Sequence, residues 1–173
     1  MSSVDSFDVI SQNSIGSTHS EDFESYDFGV GTYSGAPFNN AIMINPDDER
    51  LYVVDKDVGG LSYPLGGHGN SENCVRYDLI AWSSNSSASL IFEKVDFSAA
   101  SNPTIEFTYA TTGFVYNGTT YNEGRFEVNV SKDCGANWTN LFNESGSDLQ
   151  TTDVTAGSAE RLYPDADQWE TVV

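Results

Sequence analysis

A strict two-residue alternation that runs into a tight turn constrains this chain more than any other feature. In Arg125–Val130 the side chains of Phe126, Val128 and Val130 share one side, while Glu127, Asn129 and then Ser131 share the other. That is the pattern of a half-buried antiparallel strand, because successive residues of an extended chain point to opposite faces. The alternation ends in Cys134-Gly135-Ala136-Asn137, a turn sequence, followed at once by Trp138 and Leu141-Phe142.

The same signature recurs along the chain. Ala41–Ile44, Leu51–Val54, Cys74–Tyr77, Leu90–Phe92 and Val95–Phe97 are short runs rich in apolar and aromatic residues. Beyond the Asn102-Pro103 turn, Ile105, Phe107 and Tyr109 mark one inward face. Asn117-Gly118 stands between Phe114-Val115-Tyr116 and Tyr121, a tight-hairpin sequence, since both turn residues can adopt positive φ. A first short strand is expected around Phe23, and the polar segment Glu144–Asp153 is expected to be an extended loop. Glycines 59, 60, 66, 67 and 69 break the chain repeatedly and mark a long loop before Cys74. No segment carries a 3.6-residue apolar period. The strand spacing predicts an all-β chain, a sandwich of ~7–9 antiparallel strands. Residues 1–18 are Ser-, Asp- and Asn-rich and read as an arm or linker, which leaves 19–173 as one domain.

Charge narrows the partners. With 26 acidic residues against 7 basic ones and a formal charge of −19, the chain repels phosphate backbones and anionic lipid surfaces, so nucleic acid is not an expected partner. The acids have two uses: a solvated coat over most of the surface, and a few oxygen ligands for calcium. No apolar run reaches the ~20 residues of a spanning helix, and no basic-then-apolar leader opens the sequence, so membrane insertion is not expected. Cys74 and Cys134 lack the spacing of a zinc site, and His19 and His68 are the only histidines. A disulfide between them and two buried free thiols both fit an exported protein, and the sequence leaves the two open.

Several segments, taken in order, carry a family resemblance. Val130-Ser-Lys-Asp-Cys-Gly-Ala-Asn-Trp-Thr-Asn-Leu141 resembles the strand and turn of the MAM-like jelly-roll domains, also called cleaved-adhesin or choice-of-anchor domains, of secreted and cell-surface proteins of Bacteroidetes. Glu21-Asp22-Phe23-Glu24, Gly69-Asn70-Ser71 before Cys74, and Ser101–Phe107 fit the same template, so the likeness runs from about Ser20 to Val173. It implies a β-sandwich of jelly-roll type, an extracellular setting and a non-catalytic role in binding or adhesion. It also implies that the Phe23-Glu24 pair supplies a structural calcium ligand, as similar pairs do in the first strand of many carbohydrate-binding jelly rolls. Domains of this kind continue through further strands, whereas Gln168–Val173 reads as a strand that stops in mid-course. A sheet edge left open in this way invites self-association.

Candidate sites follow from these readings. Asp47 and Asp48 lie in an acidic turn that can present side-chain and carbonyl oxygens, and with Glu24 they form the expected metal set for calcium as cofactor. Trp82, Tyr116 and Tyr121 lie in or beside loops and are the expected ligand-binding aromatics, since sugar rings dock on aromatic faces. Trp138 and Trp169 are expected in the core. No HExxH, GxSxG, P-loop or dinucleotide-binding motif occurs, and Glu106 with Glu127 is the one carboxylate pair that a jelly-roll glycosidase would use. The expected function is a non-catalytic extracellular module of a larger secreted or cell-surface protein, binding a glycan or a surface protein. A lectin-like carbohydrate-binding module is the alternative.

Overall fold

The structure is a computed structural model of the 173-residue chain. It describes residues 20–24, 41–44, 51–55, 67–69, 71, 73–77, 87–116, 119–121, 124–152 and 164–173. Among these residues the regular elements are strands and two short 3-10 turns, with no α-helix, so the described part of the chain is all-β. The strands are β1 (Ala41–Ile44), β2 (Leu51–Asp55), β3 (Asn73–Tyr77), β4 (Ser89–Phe92) and β5 (Phe107–Tyr109). They continue with β6 (Phe114–Tyr116), β7 (Thr119–Tyr121), β8 (Arg125–Val130), β9 (Thr139–Ser145) and β10 (Glu170–Val172).

Every recorded pairing is antiparallel. β2 pairs with β3, β6 with β7 and β8 with β9, each a connection between consecutive strands. Two pairings are long-range: Ala41–Ile44 of β1 lies against Ser89–Phe92 of β4, and Glu170–Val172 of β10 against Phe107–Tyr109 of β5. The β6–β7 register sets Tyr116 opposite Thr119, which leaves two residues for the turn. That register is the one expected on either side of Asn117-Gly118, which themselves lie outside the described residues.

The β8 alternation is realised in three dimensions. Phe126, Val128 and Val130 are half-buried and Arg125, Glu127 and Asn129 exposed. Phe126 and Phe142 from this hairpin meet Phe107 and Tyr109 of β5 in one aromatic cluster. Phe107 lies edge-on to Phe126 and Phe142, with ring centroids 5.5 and 5.2 Å away. Tyr109 packs on the same two rings at 5.9 and 5.7 Å. Edge-on aromatic pairs add ~0.5–1.5 kcal/mol each beyond the area they bury, so this cluster joins the β8–β9 and β5–β10 pairs. Beside it the Tyr109 hydroxyl donates to Glu170 Oε2 at 3.2 Å, across the register pair that joins β5 and β10.

Three expectations are corrected. Phe23 lies in a turn and not in a strand: its φ is +63°, and carboxylates from its own segment occupy the amides that a ladder would need. Glu21 Oε1 accepts from Phe23 N at 2.8 Å and Asp22 Oδ1 from Glu24 N at 3.0 Å, a local bonding pattern that competes with sheet formation. Glu144 and Ser145 belong to β9, and the loop expected after them is tightened by a 3-10 turn at Gly146–Leu149. Gly146 adopts φ +61° and donates to the Gly124 carbonyl, while Leu149 is buried as the anchor of the turn. Ile105 faces solvent at 39% exposure, because it precedes β5 and is not carried by the strand's alternation. The 1–18 arm lies outside the described residues.

Candidate functional site

Among the described residues, the densest set of polar contacts between distant parts of the chain lies where residues 21–24 meet the loop that enters β3. This loop is folded on itself: Gly67 N donates to the Ser71 carbonyl and Ser71 N to the His68 carbonyl, each at 3.1 Å. Gly67 is required there. A Cβ on it would collide with the Asn73 carbonyl oxygen and come within 2.8 Å of Ser71 Cβ and Oγ. At the tip His68 packs on Trp169, centroids 5.9 Å apart, so one loop touches both the 21–24 segment and the segment that leads into β10.

Glu24 is the hub. Its Oε1 accepts from the Ser71 hydroxyl and, at 2.9 Å, from Asn73 N. Asn73 Nδ2 donates to the Phe23 carbonyl at 2.8 Å, and the Ser71 hydroxyl also lies 3.2 Å from the Asp22 carbonyl and 2.9 Å from that of Asn73. Asn73 is 6% exposed, yet its Oδ1 is buried without any hydrogen-bond partner. An unmet acceptor of this kind costs ~1–3 kcal/mol, and the left-handed φ of Phe23, unusual for a bulky residue, adds local strain beside it. The unmet acceptor and the left-handed residue belong to two segments joined by the Asn73 Nδ2–Phe23 carbonyl bond.

The oxygens present suit a hard cation. The Glu24 carboxylate, the orphaned Asn73 Oδ1 and the Phe23 carbonyl are the donor types that calcium takes. Among the described residues no three His, Cys, Asp or Glu side chains gather as a metal cluster. A cation at this junction would therefore depend on neutral oxygens beside a single carboxylate, and ligand charge count is one of the terms that tune calcium affinity. Asp47 and Asp48, the other two expected ligands, lie outside the described residues.

The expected aromatic binders are not described at the side-chain level: Trp82 lies outside the described residues, and Tyr116 and Tyr121 are described as backbone of β6 and β7 only. Trp138 corrects the sequence reading. It is 51% exposed instead of filling the core, because it leaves the 131–137 turn on the outward side and β9 begins only one residue later. That turn is built by Asp133, whose Oδ1 accepts from Asn137 N at 2.8 Å and whose Oδ2 accepts from Asn137 Nδ2 at 2.6 Å. Ser131 braces it, donating to Asp133 Oδ1 and accepting from Gly135 N. Those bonds, led by Asn137, hold the Asp133 carboxyl below the usual carboxylate range. They also allow consecutive left-handed residues, Cys134 at φ +59° and Gly135 at +87°.

Cys74 and Cys134 are free thiols, the first half-buried in β3 and the second exposed in that turn. Burial pushes the Cys74 thiol up to about 11, against a smaller lowering effect of Arg76, so it stays protonated and inert at neutral pH. Glu106 and Glu127 are both exposed. Glu127 pairs with Arg125 at 3.2 Å, an ordinary surface contact.

Asn73 was not picked out by sequence reasoning, and Gly67 and Ser71 entered it only as a loop glycine and as part of the Gly69-Asn70-Ser71 motif, not as site residues. A signal existed: an asparagine at the first position of a strand otherwise reading Cys-Val-Arg-Tyr is poorly suited to a sheet and calls for a side-chain partner. No helix among the described residues is long and apolar enough to cross a membrane. No protein-family model, curated protein or solved structure matches the chain, so the likeness to the MAM-like domains rests on the residues named above.

Proposed function

We propose that this chain is a non-catalytic extracellular binding or adhesion module, a β-sandwich of jelly-roll type belonging to a larger secreted or cell-surface protein and stabilised by calcium. The observation that carries the calcium reading is the buried, unpartnered Oδ1 of Asn73, a residue whose backbone N–H binds the Glu24 carboxylate and whose Nδ2 binds the Phe23 carbonyl. A cation there would satisfy the orphaned acceptor and tie residues 21–24 to β3. The adhesion role is supported by the motifs shared in order with MAM-like domains. It is also supported by a surface charge that keeps anionic polymers away while leaving neutral glycans and proteins as partners.

Calorimetric titration tests the site. One ion per chain is expected at a Kd of ~10⁻⁴–10⁻³ M, the range of extracellular modules, given the single carboxylate. Glu24→Gln is expected to weaken binding at least tenfold; equal binding by wild type and variant would remove Glu24 from the site.

A lectin-like carbohydrate-binding module is the second reading. It is favoured by one observation, the half-exposed indole of Trp138 just before β9, a strand whose exposed Asn140 and Asn143 present amides.

A further inference from the structure

We infer that the outward face of the β8–β9 hairpin is a binding platform for an uncharged glycan, with Trp138 as its stacking surface. The inference rests on the binding-module reading and names the ligand class and the place. Trp138 is exposed and directly precedes β9. Within the hairpin a register shift between Val128 and Asn129 sets Asn140 opposite Asn129 and Phe142 opposite Val128. Asn140 therefore stays on the exposed side, where its Nδ2 donates to Asn129 Oδ1 at 2.9 Å across the strands. That amide also donates to the Phe142 carbonyl at 3.0 Å, so the Asn140 side chain is fixed in orientation. Its Oδ1 is left as an acceptor and Asn129 Nδ2 as a donor, both on exposed residues. A hydroxyl group needs such a neighbouring donor and acceptor, because it does both at once.

Farther along the strands Asn143 stands opposite Glu127 and is exposed. From Trp138 to Asn143 the face extends roughly 15 Å at the usual strand rise. Its charge is also distinctive. The Glu127 carboxylate is matched by Arg125, so this strand face is close to neutral on a chain of charge −19. An anionic polysaccharide would be repelled by the chain as a whole, and a cationic peptide would find richer acidic surface elsewhere. An apolar ring face for stacking, amides for hydroxyls and no net charge together fit a neutral sugar chain.

Affinity electrophoresis of the full chain through gels containing a β-glucan, a xylan, a mannan or a galactan tests this, with heparin and polygalacturonate as anionic controls. Wild type is expected to be retarded by at least one neutral polymer and by neither control. Trp138→Ala is expected to lose at least tenfold in affinity with an unchanged thermal midpoint, and Trp138→Phe to stay within a few-fold of wild type. Should Trp138→Ala misfold, the Asn140→Ala/Asn143→Ala double variant carries the same expectation. Undiminished binding by these variants would place the sugar site elsewhere and overturn the platform while leaving the binding-module reading intact. Retardation by no neutral polymer, or by the anionic ones alone, would overturn the glycan assignment, and the calcium titration above would still report on the module separately. A dimer in light scattering that Trp138→Ala dissociates would overturn it in favour of a second copy of the chain.

Discussion

Asn73 shows how much a single residue can set. Its side-chain amide ties down a strained turn through the Phe23 carbonyl, while its own carbonyl oxygen is buried with nothing to accept from. The neighbouring Gly67 is fixed by sterics, because any Cβ there runs into the Asn73 backbone. Gly67→Ala is therefore expected to destabilise by about 1–3 kcal/mol, the usual effect of overpacking, and to displace Ser71 and Asn73 together. Urea unfolding would measure the first effect and loss of calcium binding the second; an unchanged midpoint would mean that the loop can shift without cost. At this scale the sequence was only partly legible. Glu24 was expected as a calcium ligand only through the resemblance of its Phe-Glu pair; the partners it has, Ser71 and Asn73, lie 47 and 49 positions away, and no local pattern announces such a contact.

At the level of elements, periodicity carried most of the information. The alternation in β8, the Asn-Gly hairpin of β6–β7 and the apolar runs of β1, β2, β3 and β4 were readable because a pleated strand imposes a period of two. Side-chain bonding to the backbone defeated that reading at Phe23, where Glu21 and Asp22 capture the amides. At Trp138 residue type misled, since a large aromatic is usually packed inside whereas this one follows a turn that aims it outward. The β5–β10 pair offers a pH test. Burial, reinforced by the hydrogen bond to Glu170, pushes the Tyr109 hydroxyl up to about 12 from its ordinary value of 10.0. Because the folded state holds the proton more tightly, this contribution to stability is complete below about pH 10 and is lost as pH rises toward 12. Tyr109→Phe is expected to flatten the alkaline fall in thermal midpoint, and an identical fall in both proteins would assign it to other groups.

For the whole molecule, the central question is what the acidic residues are for. A formal charge of −19 repels itself and weakens a compact state, and the described residues bury few large side chains, with Ala41, Leu51 and Leu149 as the buried apolar ones. A divalent cation bound only by the folded chain would offset both, since binding to the native state alone adds RT ln(1 + [L]/Kd) to its stability. The all-β class was legible from the whole sequence, because the strand pattern repeats from Ala41 to Val172. Which strands combine across long range, β1 with β4 and β5 with β10, was not, because pairing depends on faces that meet only after collapse. Thermal unfolding in EDTA, in millimolar calcium and in magnesium at matched ionic strength tests the account most directly. A rise in midpoint specific to calcium, abolished in Glu24→Gln and in Asn73→Ala, is the predicted result. Equal small shifts with calcium and magnesium, unaffected by either substitution, would contradict it and reduce the acids to a screened surface coat.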